Sequence, residues 1–181
     1  VGSEMCIRDR YYAKHITYEL DLLLELLDDY QPDCIVNFAA QGEGAVSWKH
    51  SWRFFETNSM ALAKLCEELA KKKWLKRFIQ IGTSEMYGNS KSKRQNEKTN
   101  FEPTSPYAIS KLYAHWMINL YRDAYNIFCC SGILFNHESP LRGKEFVTKK
   151  IISDLAKVKY KILPYIQLGN IYSKRDWGYS K

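Results

Sequence analysis

Three short apolar runs, each closed by a loop of small or polar residues, constrain this chain most. Cys34-Ile-Val-Asn-Phe38 leads into Ala39-Ala-Gln-Gly-Glu-Gly44. Arg77-Phe-Ile-Gln-Ile81 leads into Gly82-Thr-Ser-Glu-Met-Tyr-Gly88, and Phe128 to Leu134 into Phe135-Asn-His-Glu-Ser-Pro-Leu-Arg-Gly143. Between them the apolar spacing is helical. Leu20, Leu23, Leu24 and Leu27 predict a helix from Ile16 to Tyr30, stopped by Pro32. Met60, Leu62, Leu65, Cys66 and Leu69 predict a second from about Trp52 to Lys73. A third runs from Tyr107 to about Tyr125, with Asn126 as its stop, and a fourth from Phe146 to Val158. Ile166-Gln-Leu168 reads as a short strand. This alternation predicts an α/β fold, a doubly wound parallel sheet with right-handed crossovers. Ligands of such sheets bind beyond the carboxyl ends of the strands, where these loops lie.

Composition excludes several classes. No run of eighteen apolar residues exists, so no membrane-spanning helix is expected. The cysteines are five (Cys6, Cys34, Cys66, Cys129 and Cys130), with no Cys-x-x-Cys pair. An odd count at such spacing argues against a disulfide framework and a zinc site, and for the reducing cytosol. The net charge of +7 is localised: residues 139–181 hold ten of the 27 basic residues but three of the 20 acidic ones. A basic segment of this kind fits an anionic ligand such as a nucleotide diphosphate, a nucleic acid, or merely a solvated surface. Residues 89–102 are polar and read as an exposed excursion. Residues 1–10 have no periodicity and resemble a translated sequencing adapter, a non-native segment to be set aside.

Chemistry concentrates in Ser105-Pro-Tyr-Ala-Ile-Ser-Lys111. Pro106 suits a first helical turn, where its missing N–H costs nothing. Tyr107 and Lys111, four apart, share a helical face. An ammonium beside a phenol stabilises the phenolate and makes it a usable general base. Alone the pair is common, and ordinary helix residues explain it as well. No glycine-rich strand-to-helix turn of the G-x-G-x-x-G or G-x-x-G-x-x-G kind accompanies it.

Taken together, these residues resemble the extended short-chain dehydrogenase/reductase family, of the NAD-dependent epimerase/dehydratase type. Asn37-Phe-Ala-Ala-Gln41 is similar to its fourth-strand loop, and Thr83, Tyr107 and Lys111 to its catalytic Ser/Thr, Tyr and Lys. Gly132 to Gly143, Phe146-Val-Thr-Lys-Lys-Ile151, Leu168-Gly-Asn170 and Lys174-Arg-Asp-Trp-Gly178 resemble the GDP-mannose 4,6-dehydratase branch. The resemblance spans residues 16–181. It implies an incomplete Rossmann-like sheet, with the first strands, the glycine-rich loop and part of the substrate domain outside the chain. Residues 11–135 would form part of the NAD(P)-binding domain and residues 136–181 the start of the nucleotide-sugar region. The segment Gly42–Trp48 departs from the pattern and leaves the sugar open.

The resemblance implies an internal oxidation, elimination and reduction of a nucleotide sugar, GDP-mannose or a related GDP-hexose. Tyr107 removes the C4 hydroxyl proton while hydride leaves C4 for the nicotinamide. Thr83 hydrogen-bonds the same oxygen, and Lys111 lowers the Tyr107 pKa and holds the nicotinamide ribose. Glu85 removes the C5 proton, water leaves from C6, and hydride returns there. Phe38, Ala39, Ala40, Gln41, Tyr107, Lys111, His137 and Arg142 are the implied cofactor contacts, for NADP or NAD with NADP favoured. Ser84, Asn136, Lys149 and Arg175 are the implied substrate contacts, with Arg142 near the diphosphates. Trp177 is the tryptophan to test as a stacking platform. No metal and no nucleic acid are expected, and the full-length enzyme is expected to be a homodimer or homotetramer. A C4 epimerase or reductase of the same family needs no second base, so Glu85 discriminates it. A non-catalytic binding protein is the rival of another class.

Overall fold

The structure, a computed structural model, describes residues 11–92, 94–144, 146–172 and 174–180. The adapter-like residues 1–10 lie outside the described residues. Two compact units divide the chain, one up to Ile133 and one from Leu134.

The first unit is built on a three-stranded sheet in the order β1-β2-β3: β1 (Cys34–Asn37), β2 (Arg77–Thr83) and β3 (Phe128–Leu134, whose last residue opens the second unit). β1 and β2 are parallel, with Cys34 opposite Arg77 and Asn37 opposite Gln80. The helix before β1, α1 (Leu20–Tyr30), starts four residues later than the leucine spacing predicts. Ile16 to Tyr18 form a turn instead, and Ile16 is buried within it. Gln31 ends α1 in the left-handed conformation, its N–H on the carbonyl of Leu27.

The helix expected over residues 52–73 is not a single regular one. Ahead of it lies a separate short piece, α2 (Gly44–Ser47); the helix itself begins as α3 (Ser51–Phe55), passes through a wide π-turn at Glu56–Met60, and resumes as α4 (Ala61–Leu69). The π-turn adds a residue to the helical register. Met60, expected in the apolar stripe, is consequently half exposed, while Leu62, Leu65, Cys66 and Leu69 are buried. These four close on Phe78 of β2, Cys129 of β3, and Ala114 and Ile118 of α5 (Pro106–Tyr125). Burying a side chain such as Ile118, at 0% exposure, contributes about 2 kcal/mol or more.

The second unit holds β4 (Asn136–Glu138), β5 (Trp177–Tyr179) and α6 (Val147–Lys159). β4 and β5 pair in parallel, Asn136 opposite Trp177 and Glu138 opposite Tyr179. Two expectations are corrected here. The stretch after Phe135, read as a loop, contains a strand, because residues 177–179 supply a partner that no local pattern announces. Ile166 to Leu168 is not a strand.

Candidate active site

The end of β2 and the first turns of α5 carry the catalytic candidates. Ser105 caps α5, its Oγ accepting the Ala108 N–H at 3.1 Å, and Pro106 occupies the first turn. Tyr107 and Lys111 therefore start within a well-anchored helix. The Tyr107 ring lies edge-on to the buried Phe54 ring, centroids 6.1 Å apart. Lys111 is buried, and its Nζ donates to the Ile81 carbonyl at 2.6 Å. Burial pushes this ammonium down from 10.5 to about 8. A buried cation with a softened pKa is what a proton-transfer site requires.

β2 ends at Thr83, and a tight 3-10 turn, Ser84–Tyr87, follows at once. Thr83 Oγ1 accepts the Glu85 N–H at 3.3 Å, so the hydroxyl caps the turn that displays the carboxylate. Met86 and Tyr87 anchor that turn in the core, whereas Thr83, Ser84 and Glu85 stay partly exposed. The Glu85 carboxylate rests against Gly44: a Cβ placed there would lie 3.2 Å from Oε2. Thr83, Glu85 and Lys111 are thus all gathered at the carboxyl end of β2.

The loop after β1, Phe38 to Gln41, is exposed, Phe38 at 68%. With Ala39 and Ala40 at its centre, its backbone is open to close approach. Asn58, buried in the π-turn, holds this loop. Its Oδ1 accepts the Gln41 N–H at 2.8 Å, and its Nδ2 donates to the Gln41 carbonyl at 3.1 Å and to Ser110 Oγ at 3.0 Å. Ser110 precedes Lys111, so one amide ties the β1 loop to the catalytic helix. Asn58 was missed from the sequence. Its signal, an asparagine inside an apolar helical pattern, acquires meaning only once the π-turn widens the helix there.

A family model described as GDP-mannose 4,6 dehydratase matches residues 13–181. The chain belongs to that family. It is 42% identical to the GDP-mannose 4,6 dehydratase of Drosophila melanogaster over 160 residues, covering 87% of this chain and 40% of that protein. The chain thus spans about two fifths of the length of the curated relatives it matches. Among solved structures it resembles the UDP-glucuronic acid 4-epimerase of Bacillus cereus in complex with UDP-glucuronic acid and NAD (26% identity, TM-score 0.78, 92% of this chain and 50% of that one). It also resembles DesIV, the dTDP-glucose 4,6-dehydratase of Streptomyces venezuelae with NAD and TYD bound (26%, 0.75, 82% and 45%). The fold is accordingly that of the Rossmann-type epimerases and dehydratases of the family.

The expected substrate and cofactor contacts of the second unit form a cluster only in part. Arg142 Nε lies 3.6 Å from the Glu138 carboxylate, an ion-pair distance beyond hydrogen-bond reach, and its guanidinium stacks on the Phe146 ring at 3.5 Å. Glu138 also accepts the Thr148 hydroxyl at 2.5 Å. Lys149 Nζ donates to the Pro140 carbonyl. Asn136 and His137 sit on β4, and Trp177, half exposed, on β5. Arg175 is exposed, and among the described residues it donates to the neighbouring Lys174 carbonyl. Glu138, which holds Arg142 and Thr148 together, was not singled out from the sequence; a glutamate within a presumed loop carried no signal.

Proposed function

We propose that the enzyme carrying this chain is a nucleotide-sugar 4,6-dehydratase acting on GDP-mannose or a related GDP-hexose. One observation carries the reading: Glu85 is presented by a turn that Thr83 itself caps, at the strand end where Lys111 is buried. Membership of the family and 42% identity to the fly enzyme support it.

The residues have separate tasks. Tyr107 accepts the C4 hydroxyl proton, and Thr83 donates a hydrogen bond to that oxygen as it becomes a carbonyl. Lys111 keeps the phenolate charge favourable. The C4 carbonyl acidifies C5–H, and Glu85 takes that proton as water departs from C6. Phe38, Ala39, Ala40 and Gln41 form an exposed loop of mostly small residues tied through Asn58 to Ser110, next to Lys111 in sequence, which fits a nicotinamide dinucleotide. That cofactor, when bound, accepts and returns the hydride. NADP is favoured over NAD. His137 and Arg142 are assigned to the cofactor, Arg142 also near the diphosphates, and Ser84, Asn136, Lys149 and Arg175 to the nucleotide sugar, where guanidinium groups suit bidentate phosphate bonds. Free Cys34, Cys66, Cys129 and Cys130, and the lack of any helix long and apolar enough to cross a membrane among the described residues, agree with a cytosolic location. A homodimer or homotetramer is the proposed assembly.

Glu85→Gln in the full-length enzyme tests the reaction. Formation of the 4-keto-6-deoxy product should fall by about 10²-fold or more, while substrate-dependent cofactor reduction persists. Tyr107→Phe should abolish both and leave nucleotide-sugar binding nearly unchanged. The likeness to the Bacillus 4-epimerase fold favours one second reading, C4 epimerisation. Full activity of Glu85→Gln would establish it instead.

A further inference from the structure

Behind the strand ends runs a buried chain of hydrogen bonds of which the proposed reaction uses only the last member, Lys111. Asn37 closes β1 and faces Gln80 of β2 in register. Asn37 Nδ2 donates to Gln80 Oε1 at 2.8 Å. Both amides are also engaged at their other ends. Asn37 Oδ1 accepts the Ala39 N–H at 3.0 Å, and Gln80 Nε2 donates to the Ile81 carbonyl at 3.1 Å. That carbonyl is the one receiving Lys111 Nζ. Asn37, Gln80 and Lys111 are exposed by 7%, 3% and 4%.

Packing alone does not call for this arrangement. An apolar pair at the two facing positions would join β1 to β2 without burying two amides. A buried amide is stable only when its polar atoms are satisfied, and here they end on two functional groups. The chain is also directional. Flipping the Asn37 amide would set an NH₂ against the Ala39 N–H and an oxygen against Gln80 Oε1. Flipping Gln80 would set its NH₂ against Asn37 Nδ2 and its oxygen against the Ile81 carbonyl. Only one orientation satisfies every member.

We propose that Gln80 is a positioning residue that couples the β1 loop at Ala39 to the Lys111 ammonium. Through Asn37 it fixes the backbone of the loop assigned to the dinucleotide. Through Ile81 it fixes the carbonyl on which Lys111 is seated, so the loop and the ammonium are held in one register. What this coupling serves rests on the dehydratase reading; what Gln80 holds rests on the geometry.

The test compares Gln80→Met with Gln80→Glu in the full-length enzyme. Methionine keeps the length and removes both hydrogen bonds. Glutamate, neutral when buried, keeps the acceptor for Asn37 and turns a hydroxyl donor toward the Ile81 carbonyl. Gln80→Met should weaken NADPH and NADH binding, read by fluorescence titration, by about tenfold, the scale of one lost hydrogen bond. Exchange of the Ala39 amide should quicken by a similar factor, and kcat should stay reduced at saturating cofactor. Gln80→Glu should return binding and Ala39 exchange to within about threefold of wild type, a rescue that mere space-filling would not give. A folded Gln80→Met with wild-type binding and exchange overturns the proposal, as does a Gln80→Glu variant as impaired as Gln80→Met. Should Gln80→Met fail to fold, Asn37→Ser carries the same expectation for Ala39 exchange and binding, and wild-type values there overturn it equally. Binding and exchange need no sugar nucleotide. A wild-type enzyme that binds NADPH or NADH but does not dehydrate a GDP-hexose would therefore overturn the proposed function and leave the coupling intact.

Discussion

Lys111 concentrates the conflict between stability and function in a single side chain. Its burial holds the ammonium near 8, against 10.5 when unfolded. The unfolded chain therefore binds more protons between those values, so this residue's contribution to stability rises with pH across that window. Below pH 8 the ammonium is charged in both states, and its burial costs up to about 3 kcal/mol. Replacing Lys111 by Met should abolish turnover yet stabilise the fold at pH 7. The gain should shrink between pH 8 and about 10.5, as the wild-type lysine becomes neutral in the folded state. The Ile81 carbonyl keeps Gln80 Nε2 as a partner in the variant. Urea midpoints measured from pH 6.5 to 10 check this; a variant less stable at pH 7 would show that the ammonium is held favourably.

At the scale of elements, the turn carrying Glu85 depends on one glycine. Gly88 ends it at φ +49, and a Cβ there would lie 1.8 Å from the backbone oxygen of Glu102. That oxygen accepts the Asn89 N–H, and the Glu102 N–H donates to the Met86 carbonyl. The two segments are thus laced together where a methyl group cannot enter. Tyr87, stacked on Phe101 at 5.1 Å, holds the same junction. Gly88→Ala should cost on the order of 3 kcal/mol or more, since the strain falls on backbone and not on a movable side chain. It should also release the Glu85 turn. A lowered melting temperature with faster exchange at Asn89 and Glu102 is expected; an unchanged melting temperature would contradict it.

On the scale of the whole molecule, much apolar surface remains uncovered. β1 is the edge of its sheet, with Val36 exposed at 45% and Phe38 at 68%. The leucine stripe of α1 packs partly buried against the core, but α6 contains no buried residue, and its Ile152 and Leu155 are exposed. An unpaired apolar edge and the exposed apolar residues of α6 favour aggregation. Residues 11–181 expressed alone should be inactive, and either insoluble or without a cooperative urea transition. A sharp transition shifted upward by NADPH and GDP-mannose would contradict this expectation.

The sequence alone determined the α/β alternation, the three strands of the first unit, and the extent of α5. Hydrophobic period and local caps specify these, and both act within a few residues. Asn126 shows it: its left-handed conformation ends α5 where the residue type predicts. The Thr83–Glu85 and Tyr107–Lys111 pairs were legible for the same reason, since each lies within one turn or loop. Tertiary structure decided what depends on partners distant in the chain. β4 exists because residues 177–179 pair with it, about forty residues on. The π-turn turns Met60 outward and gives Asn58 its task, because the helix must satisfy Gln41 and Ser110 together. Gln80 and Asn37 looked like polar interruptions of two apolar strands. Only the β1–β2 register, which sets them face to face, makes them a buried relay, since an amide's role depends on which donors and acceptors surround it.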